Sequence, residues 1–396
     1  MTKHGRGVVR ALFAVGPLVC AVFFVLTSGR RAVLHAQSGF NFVHFFPWGG
    51  YVGSPTGGNG GLLVDSDGTF YGTAVGQGTR SAFAVRPGDQ FFWSSHIPDV
   101  NAVATSECLG SPLTTDQEGR ESSERRSHRR FYGVTYDGGA FQRGSIFSVE
   151  ANLQTGYRTL YEFNYTNGAY PLGPLLLATD GNFYGSASNG GSSPPGGGLV
   201  FRLTPHGHLT TLHALAGGAE GVGPNGGIIQ ASDGNLYGTT TSGTVFRLTL
   251  PGTFTTVYTF PPEFNWSIRD GVVQANDGYL YGRTWGGPGG AWTIFKMWLD
   301  GSGFQTLHTG LSGVGYCGGL VEGPDHNLYG TVAGDPVADQ GTIFRITPTG
   351  SYGVLHIIDR FFRPYGPLAV GLDGALYGTT ASAGPTFPGS VFRFAP

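Results

Sequence analysis

The sequence predicts an all-β fold made of repeated four-stranded antiparallel units, and three observations predict it. A Leu/Phe-Tyr-Gly signal recurs seven times, at Tyr71, Tyr132, Tyr184, Tyr237, Tyr281, Tyr329 and Tyr377, at intervals of 61, 52, 53, 44, 48 and 48 residues. A period of this size marks a repeat architecture in which stacked units share one continuous core. Glycine and proline number 70 and 24 of 396 residues, yet 13% of the chain is aromatic. A disordered chain has few aromatic residues, so Gly-rich turns between aromatic strands account for both figures. The ends supply the third observation: the chain stops just after a strand-like Val391-Phe392-Arg393-Phe394, and an unassigned strand-like run, Phe42 to Phe46, precedes the first unit. Together these predict a seven-bladed β-propeller, its ring closed when the N-terminal strand (about 40–46) completes the last blade.

From the N-terminus, Lys3, Arg6 and Arg10 precede an apolar run from Ala11 to Leu26, then Thr27-Ser28-Gly29. Residues 1–36 read as a signal peptide or an N-terminal membrane anchor, because the run is short for a span and Arg30-Arg31 follow it. Either reading makes the protein exported: secreted, periplasmic or held at the cell surface, with membrane contact only through this segment if it stays uncleaved. Residues 37–396 read as a single propeller domain and as a monomer. Without 1–36 the chain carries 18 bases and 25 acids, a net charge of −7. That balance excludes a nucleic-acid partner, whose phosphates demand basic neutralisation. Cys20 lies inside the apolar run, which leaves Cys108 and Cys317 in different repeats, too few for a metal site; whether they pair stays open.

Repeat four is the clearest unit. Gly227-Ile228-Ile229-Gln230 is a short apolar strand, Asp233-Gly234 a hairpin turn, and Leu236 to Thr240 the returning strand. Thr244 to Thr249 alternates as a third strand, Pro251-Gly252 turns, and Thr255 to Phe260 is the fourth. The turn recurs as Asp67-Gly68, Asp180-Gly181, Asp277-Gly278 and Asp373-Gly374, with Asp325-His326 as a variant. Third strands centre on Phe83, Phe147, Phe201, Phe246, Phe295, Phe344 and Phe392. Fourth strands share one position held by Tyr161, His213, Tyr258, His308 and His356.

The runs Asp233 to Thr240, Gly341 to Gly350 and Thr210 to His213 (D-G-N-L-Y-G-T-T, G-T-I-F-R-I-T-P-T-G and T-T-L-H) resemble the choice-of-anchor tandem-repeat family called GloVer. The resemblance covers about residues 40–396 and implies an exported bacterial repeat protein of undefined biochemical role.

Residues copied into every repeat are explained by the fold. Asp before Gly is turn chemistry; Asp65-Ser66-Asp67-Gly68 resembles the opening of a calcium loop but lacks its closing Glu, so no metal and no cofactor are expected. A His interchangeable with Tyr, as at His44, His213, His308 and His356, reads as a half-buried strand residue. Arg202, Arg247, Lys296, Arg345 and Arg393, each following the strand-three Phe, read as the outward residues of an alternating strand. Gln230, Gln274 and Glu322 share a place that reads as polar channel lining.

Residues that break the repeat are the better candidates. The loops between strands two and three vary, from 9 residues between Tyr237 and Phe246 to 17 between Tyr184 and Phe201, and they share a face with the inter-blade loops. Repeat five is richest there: Trp266, Arg269, Asp270, Arg283, Trp285 and Trp292 are the candidate ligand-binding residues, suited to stacking on a sugar ring or holding a peptide. Against this, Trp292 and Trp298 can pack between blades. Residues 121–130, Glu-Ser-Ser-Glu-Arg-Arg-Ser-His-Arg-Arg, form a charged insertion on the opposite face. The chain contains no G-x-S-x-G, H-E-x-x-H or P-loop motif. The sequence therefore favours a non-catalytic binding or scaffolding module for polysaccharide or protein. The alternative is a propeller-fold lyase or glycoside hydrolase working at the channel mouth, with Glu322 and His326 as its hints.

Overall fold

The computed structural model describes residues 39–45, 61–76, 79–86, 93–97, 114–115, 130–150, 157–191, 196–263, 266–268, 270–312, 318–334, 340–360, 362–382 and 389–396. The expected export segment (1–36), the insertion at 121–129, Cys108, Cys317 and Arg269 lie outside them.

Seven four-stranded antiparallel sheets form the blades of a propeller. Blade one contains β2 (Leu63–Val64), β3 (Phe70–Gly76), β4 (Thr79–Val85) and β5 (Trp93–Ile97), and blade two β6 (Thr114–Thr115), β7 (Arg130–Thr135), β8 (Ser145–Glu150) and β9 (Arg158–Glu162). Blade three runs through β10 (Ala169–Leu177), β11 (Phe183–Asn189), β12 (Leu199–Leu203) and β13 (Leu209–Ala214). Blade four is β14 (Pro224–Gln230), β15 (Leu236–Thr240), β16 (Thr244–Leu248) and β17 (Phe254–Thr259). Blade five is β18 (Val272–Gln274), β19 (Leu280–Thr284), β20 (Ala291–Met297) and β21 (Gln305–Ser312). Blade six is β22 (Val321–Glu322), β23 (Leu328–Val332), β24 (Gly341–Ile346) and β25 (Tyr352–Ile358).

The last blade takes three strands from the C-terminus, β26 (Phe362–Val370), β27 (Leu376–Ser382) and β28 (Ser390–Phe394), and its outer strand from the N-terminus, β1 (Phe40–Phe45). β1 pairs antiparallel with β28, Phe40 opposite Phe394, with a bulge between Phe42 and His44. The ring closes as the displaced strand predicts.

The Tyr-Gly signal is explained by packing on both of its residues. Each signal glycine lies opposite the strand-three Phe, as Gly238 does Phe246 and Gly330 does Phe344. A Cβ on Gly330 would meet Phe344 Cζ at 2.5 Å, and one on Gly282 would meet Phe295 Cζ at the same distance. The ring lies flat over the bare backbone, so each Phe is fully buried only because its partner has no side chain. The tyrosine beside it points the other way and packs toward the next blade: Tyr237 joins Phe295 in one cluster, and Tyr281 joins Phe344 in the next. Each core cluster therefore spans two blades, which ties the ring together.

Around the axis the inner strands approach one another by backbone. Gly173 of β10, at φ 79°, would drive a Cβ into the Gly226 carbonyl of β14, so glycine is required there for conformation and for space.

Candidate functional site

The repeated aspartates hold buried tyrosines. Tyr184, Tyr237, Tyr281, Tyr329 and Tyr377 are at most 2% exposed, and each phenol donates to the aspartate four residues earlier. The O···O distances are 2.8 Å to Asp180, 2.9 Å to Asp233, 2.5 Å to Asp277, 2.8 Å to Asp325 and 3.1 Å to Asp373. The other carboxylate oxygen accepts the backbone N–H two residues on, as Asp233 does from Asn235 at 3.0 Å. Burial alone would raise the carboxyl of Asp233, but the bonds from Asn235 and Tyr237 outweigh it and hold it below the usual value. Burial and the Asp325 carboxylate push the Tyr329 phenol up to about 12. Turn chemistry thus accounts for half of what these aspartates do.

The fourth-strand histidines form a ladder around the rim. His213 stacks on Phe254 of the next blade with centroids 4.2 Å apart, Tyr258 on Phe304 at 4.4 Å and His308 on Tyr352 at 3.8 Å. His356 completes it on Phe40 of β1 at 4.1 Å, so the closing strand supplies the same contact as blades four, five and six. Burial lowers the pKa of His308 and His356, because desolvation disfavours the charged ring.

Gln230, Gln274 and Glu322 act between blades. Each accepts a backbone N–H from the preceding blade's turn: Thr179 to Gln230 at 2.9 Å, Ser232 to Gln274 at 2.7 Å and Asn276 to Glu322 at 2.9 Å. His326 is the repeat-breaker at this level. It occupies φ 59° where other turns have glycine, and its Nδ1 lies 3.1 Å from both Glu322 Oε1 and Asn276 Nδ2.

The blade-five candidates separate into two groups. Arg283 and Trp292 differ in placement from the expectation of a surface cluster: they are 8% and 6% exposed, between blades five and six. Arg283 Nη1 donates to the carbonyls of Gly318 (2.6 Å) and Thr331 (3.0 Å), and its guanidinium lies 5.1 Å from the Trp292 ring. Burial lowers its pKa from the ordinary guanidinium value, with the Asp270 carboxylate acting in the opposite sense. Trp266 and Trp285 are half-buried. They belong to adjoining loops whose backbones pair through Ser267 and Trp285 at 2.6 and 2.7 Å, and Trp266 packs on Phe260. Trp298, on the opposite face, is 41% exposed and stacks on Tyr279 at 3.6 Å.

A second cluster, between blades two and three, was not singled out in the sequence. The loop 136–144 joins β7 to β8, and residues 163–168 cross to β10, so both lie on the variable-loop face. Arg143 donates to the Tyr170 hydroxyl, and its guanidinium lies 5.3 Å from the Tyr170 ring centroid and 5.7 Å from that of Tyr165. Tyr136 stacks on Tyr170 at 4.9 Å. Phe141 and Tyr165 are 55% and 44% exposed. Among the described residues four non-glycines have positive φ, and three of them are here: Gln142 (55°), Tyr165 (75°) and Tyr170 (56°). Such conformations cost about 1–3 kcal/mol each and collect where function requires them. The readable signal was an aromatic at each end of a Gly-rich loop, Tyr136-Asp137-Gly138-Gly139-Ala140-Phe141 and Tyr165-Thr166-Asn167-Gly168-Ala169-Tyr170.

The Gloeobacter/Verrucomicrobia repeat model matches residues 33–243 and 241–396. The chain belongs to this repeat family. Among curated proteins none matches it. Among solved structures it is similar to a streptogramin B lyase, with a TM-score of 0.60 and 15% identity over 91% of this chain and 100% of that one. A catalytically inactive virginiamycin B lyase from Staphylococcus aureus with quinupristin gives 0.60 and 14% over 90% and 100%. The extracellular domain of a hybrid two-component system from B. thetaiotaomicron gives 0.55 and 10%, over 91% of this chain and 40% of that one. Identities this low speak for the propeller fold alone. In this Gloeobacter/Verrucomicrobia repeat chain the repeated Asp, Tyr and Gly are scaffold residues. Among the described residues no three His, Cys, Asp or Glu side chains group as a metal centre would require.

Proposed function

We propose that this chain is an exported, non-catalytic propeller that acts as a binding module and takes its ligand on the variable-loop face. The observation that carries the reading is the cluster of Tyr136, Arg143, Tyr165 and Tyr170, in which Tyr165 is exposed and both Tyr165 and Tyr170 are held on strained backbone over a rigid frame. The groups that carry chemistry elsewhere are engaged in the frame: aspartates hold tyrosines, histidines stack across blades, and Arg283 links two blades. Polysaccharide or protein is the ligand class such aromatic surfaces suit. Glycan and peptide arrays probed with the purified chain, and with Tyr165→Ala, Trp266→Ala and Trp285→Ala, test the reading. Binding lost in Tyr165→Ala and kept in the two tryptophan variants supports the blade-two-to-three site. Loss only in the tryptophan variants moves the site to blade five, and an array with no bound member refutes the binding reading.

One observation favours the enzymatic alternative. His326, Glu322 and Asn276 meet on the opposite face, with the histidine on strained backbone. A lyase or glycosidase acting there would lose its turnover in both Glu322→Gln and His326→Ala, with substrate binding retained.

A further inference from the structure

Arg143 is held by a hydroxyl and by aromatic rings rather than by a carboxylate. The described contacts of its side chain are one hydroxyl and two aromatic rings, and among the described residues it forms no ion pair. Arg130 of the same blade, by contrast, pairs with Glu150 at 3.0 Å. A guanidinium presents five donors in a planar fork that matches a carboxylate, and only one bond, to Tyr170, is made by a side chain here. The two rings lie against the guanidinium, the Tyr170 hydroxyl takes one donor, and the remaining donors of the fork have no side-chain acceptor among the described residues.

Resting on the binding reading above, we infer that Arg143 receives the carboxylate of an acidic saccharide, a uronic acid whose ring lies on Tyr165. The geometry favours a sugar over an acidic peptide. The guanidinium is 5.7 Å from the Tyr165 ring centroid, so one compact unit must offer both a flat apolar face and a charge. A uronic acid carries its carboxylate directly on the ring, whereas Asp and Glu carry theirs on flexible stems with no face to stack. Local charge narrows the class further. Asp137 adjoins Tyr136, and Glu162, at the end of β9, accepts the Ala140 N–H at 3.3 Å, so two carboxylates sit beside the cluster. They oppose a densely sulfated chain and tolerate one carboxylate per ring, recognised at short range by the fork rather than by a broad positive field.

The strained backbone supports the same placement. Tyr165 and Tyr170, which flank the guanidinium, both take positive φ, and Gln142 beside it does as well. The side chains are therefore aimed before any ligand arrives, which reduces the ordering cost of binding.

Calorimetric titration of the full chain with an oligogalacturonate, its methyl ester and an acidic peptide tests the inference. The acid should bind at least about tenfold more tightly than the ester, the scale of one charge-assisted contact. Arg143→Gln should abolish that preference and leave weak ester binding, and Arg143→Lys should recover part of it, because it keeps the charge and loses the fork. Tyr165→Ala should weaken acid and ester alike. Unchanged melting temperatures separate these losses from misfolding. Equal affinity for acid and ester refutes the charge assignment and leaves the binding reading standing. Peptide binding in place of sugar refutes the saccharide assignment, and no binding by any probe refutes both.

Discussion

Gly330→Ala tests the central account of the repeat, that the glycine after each tyrosine exists to admit a phenylalanine ring. The added methyl would sit 2.5 Å from Phe344 Cζ, 2.9 Å from Cε1 and 3.3 Å from Cε2. Phe344 has nowhere to move: it is fully buried among Tyr281, Trp292, Leu328 and Ile346, with the tilted Tyr352 ring 5.3 Å away. Overpacking of this kind costs about 1–3 kcal/mol, and a contact below van der Waals distance in a dense core belongs at the upper end. Denaturant unfolding of Gly330→Ala, Phe344→Leu and the double variant measures it. The leucine shortens the opposing side chain, so the double variant should be more stable than the sum of the single losses by about 1 kcal/mol or more. Gly234→Ala is the matched control. That glycine sits at φ 78° with nothing within 4 Å of a Cβ, so its cost of about 1–2 kcal/mol is conformational and independent of any ring. A Gly330→Ala protein as stable as the parent, or an additive cycle, would refute the packing account.

Three further outcomes follow from the same geometry. Phe40→Ala removes the stack on His356 at 4.1 Å and should cost about 2 kcal/mol, below the 3–5 of a fully buried Phe because Phe40 is half-buried; hydrogen exchange should rise first in β28 and β1, and uniform exchange would count against a localised closure. Tyr329 titrates near 12 when folded against 10.0 as a free side chain, so its stabilising contribution is whole below pH 10.0 and fades as pH rises through about 12. Asp325 is shifted below 3.8, so its contribution is whole above that value and fades as pH falls through its folded pKa; melting temperature should plateau between the two limits, and a plateau unaffected by Tyr329→Phe or Asp325→Asn would exclude the pair as its source. Arg283→Ala removes two charge-assisted bonds to Gly318 and Thr331 and leaves those carbonyls buried, for a loss of about 3 kcal/mol in chemical denaturation; a neutral result would mean that Arg283 does not join blades five and six.

Much of the architecture was legible because it is periodic. Seven Tyr-Gly signals count seven sheets, and the run at Phe42 to Phe46 reads as a fourth strand whose partner lies at the other end of the chain. The candidate site was legible only in part. Tryptophans and charges in repeat five mark a departure from the repeat, but departure does not distinguish Trp266, half-buried on a loop, from Trp292, buried against Arg283. The cluster of Arg143, Tyr165 and Tyr170 has no signature in the sequence because the two tyrosines are 22 and 27 residues from Arg143 and meet it only where two loops fold back together.

By itself the sequence determined the number of blades, the order of their strands and the closure of the ring. Each is a local choice, a turn residue or an alternating strand, made seven times and reinforced by repetition. Tertiary structure alone decided what the repeated residues bond to. The Asp–Tyr pair, the His–aromatic ladder and the Gln latches each depend on a distance across a turn or between blades. Periodicity states which residues recur, whereas burial and partner are properties of the packed ring, so the aspartates became scaffold and Arg143 came to lie against Tyr165 and Tyr170.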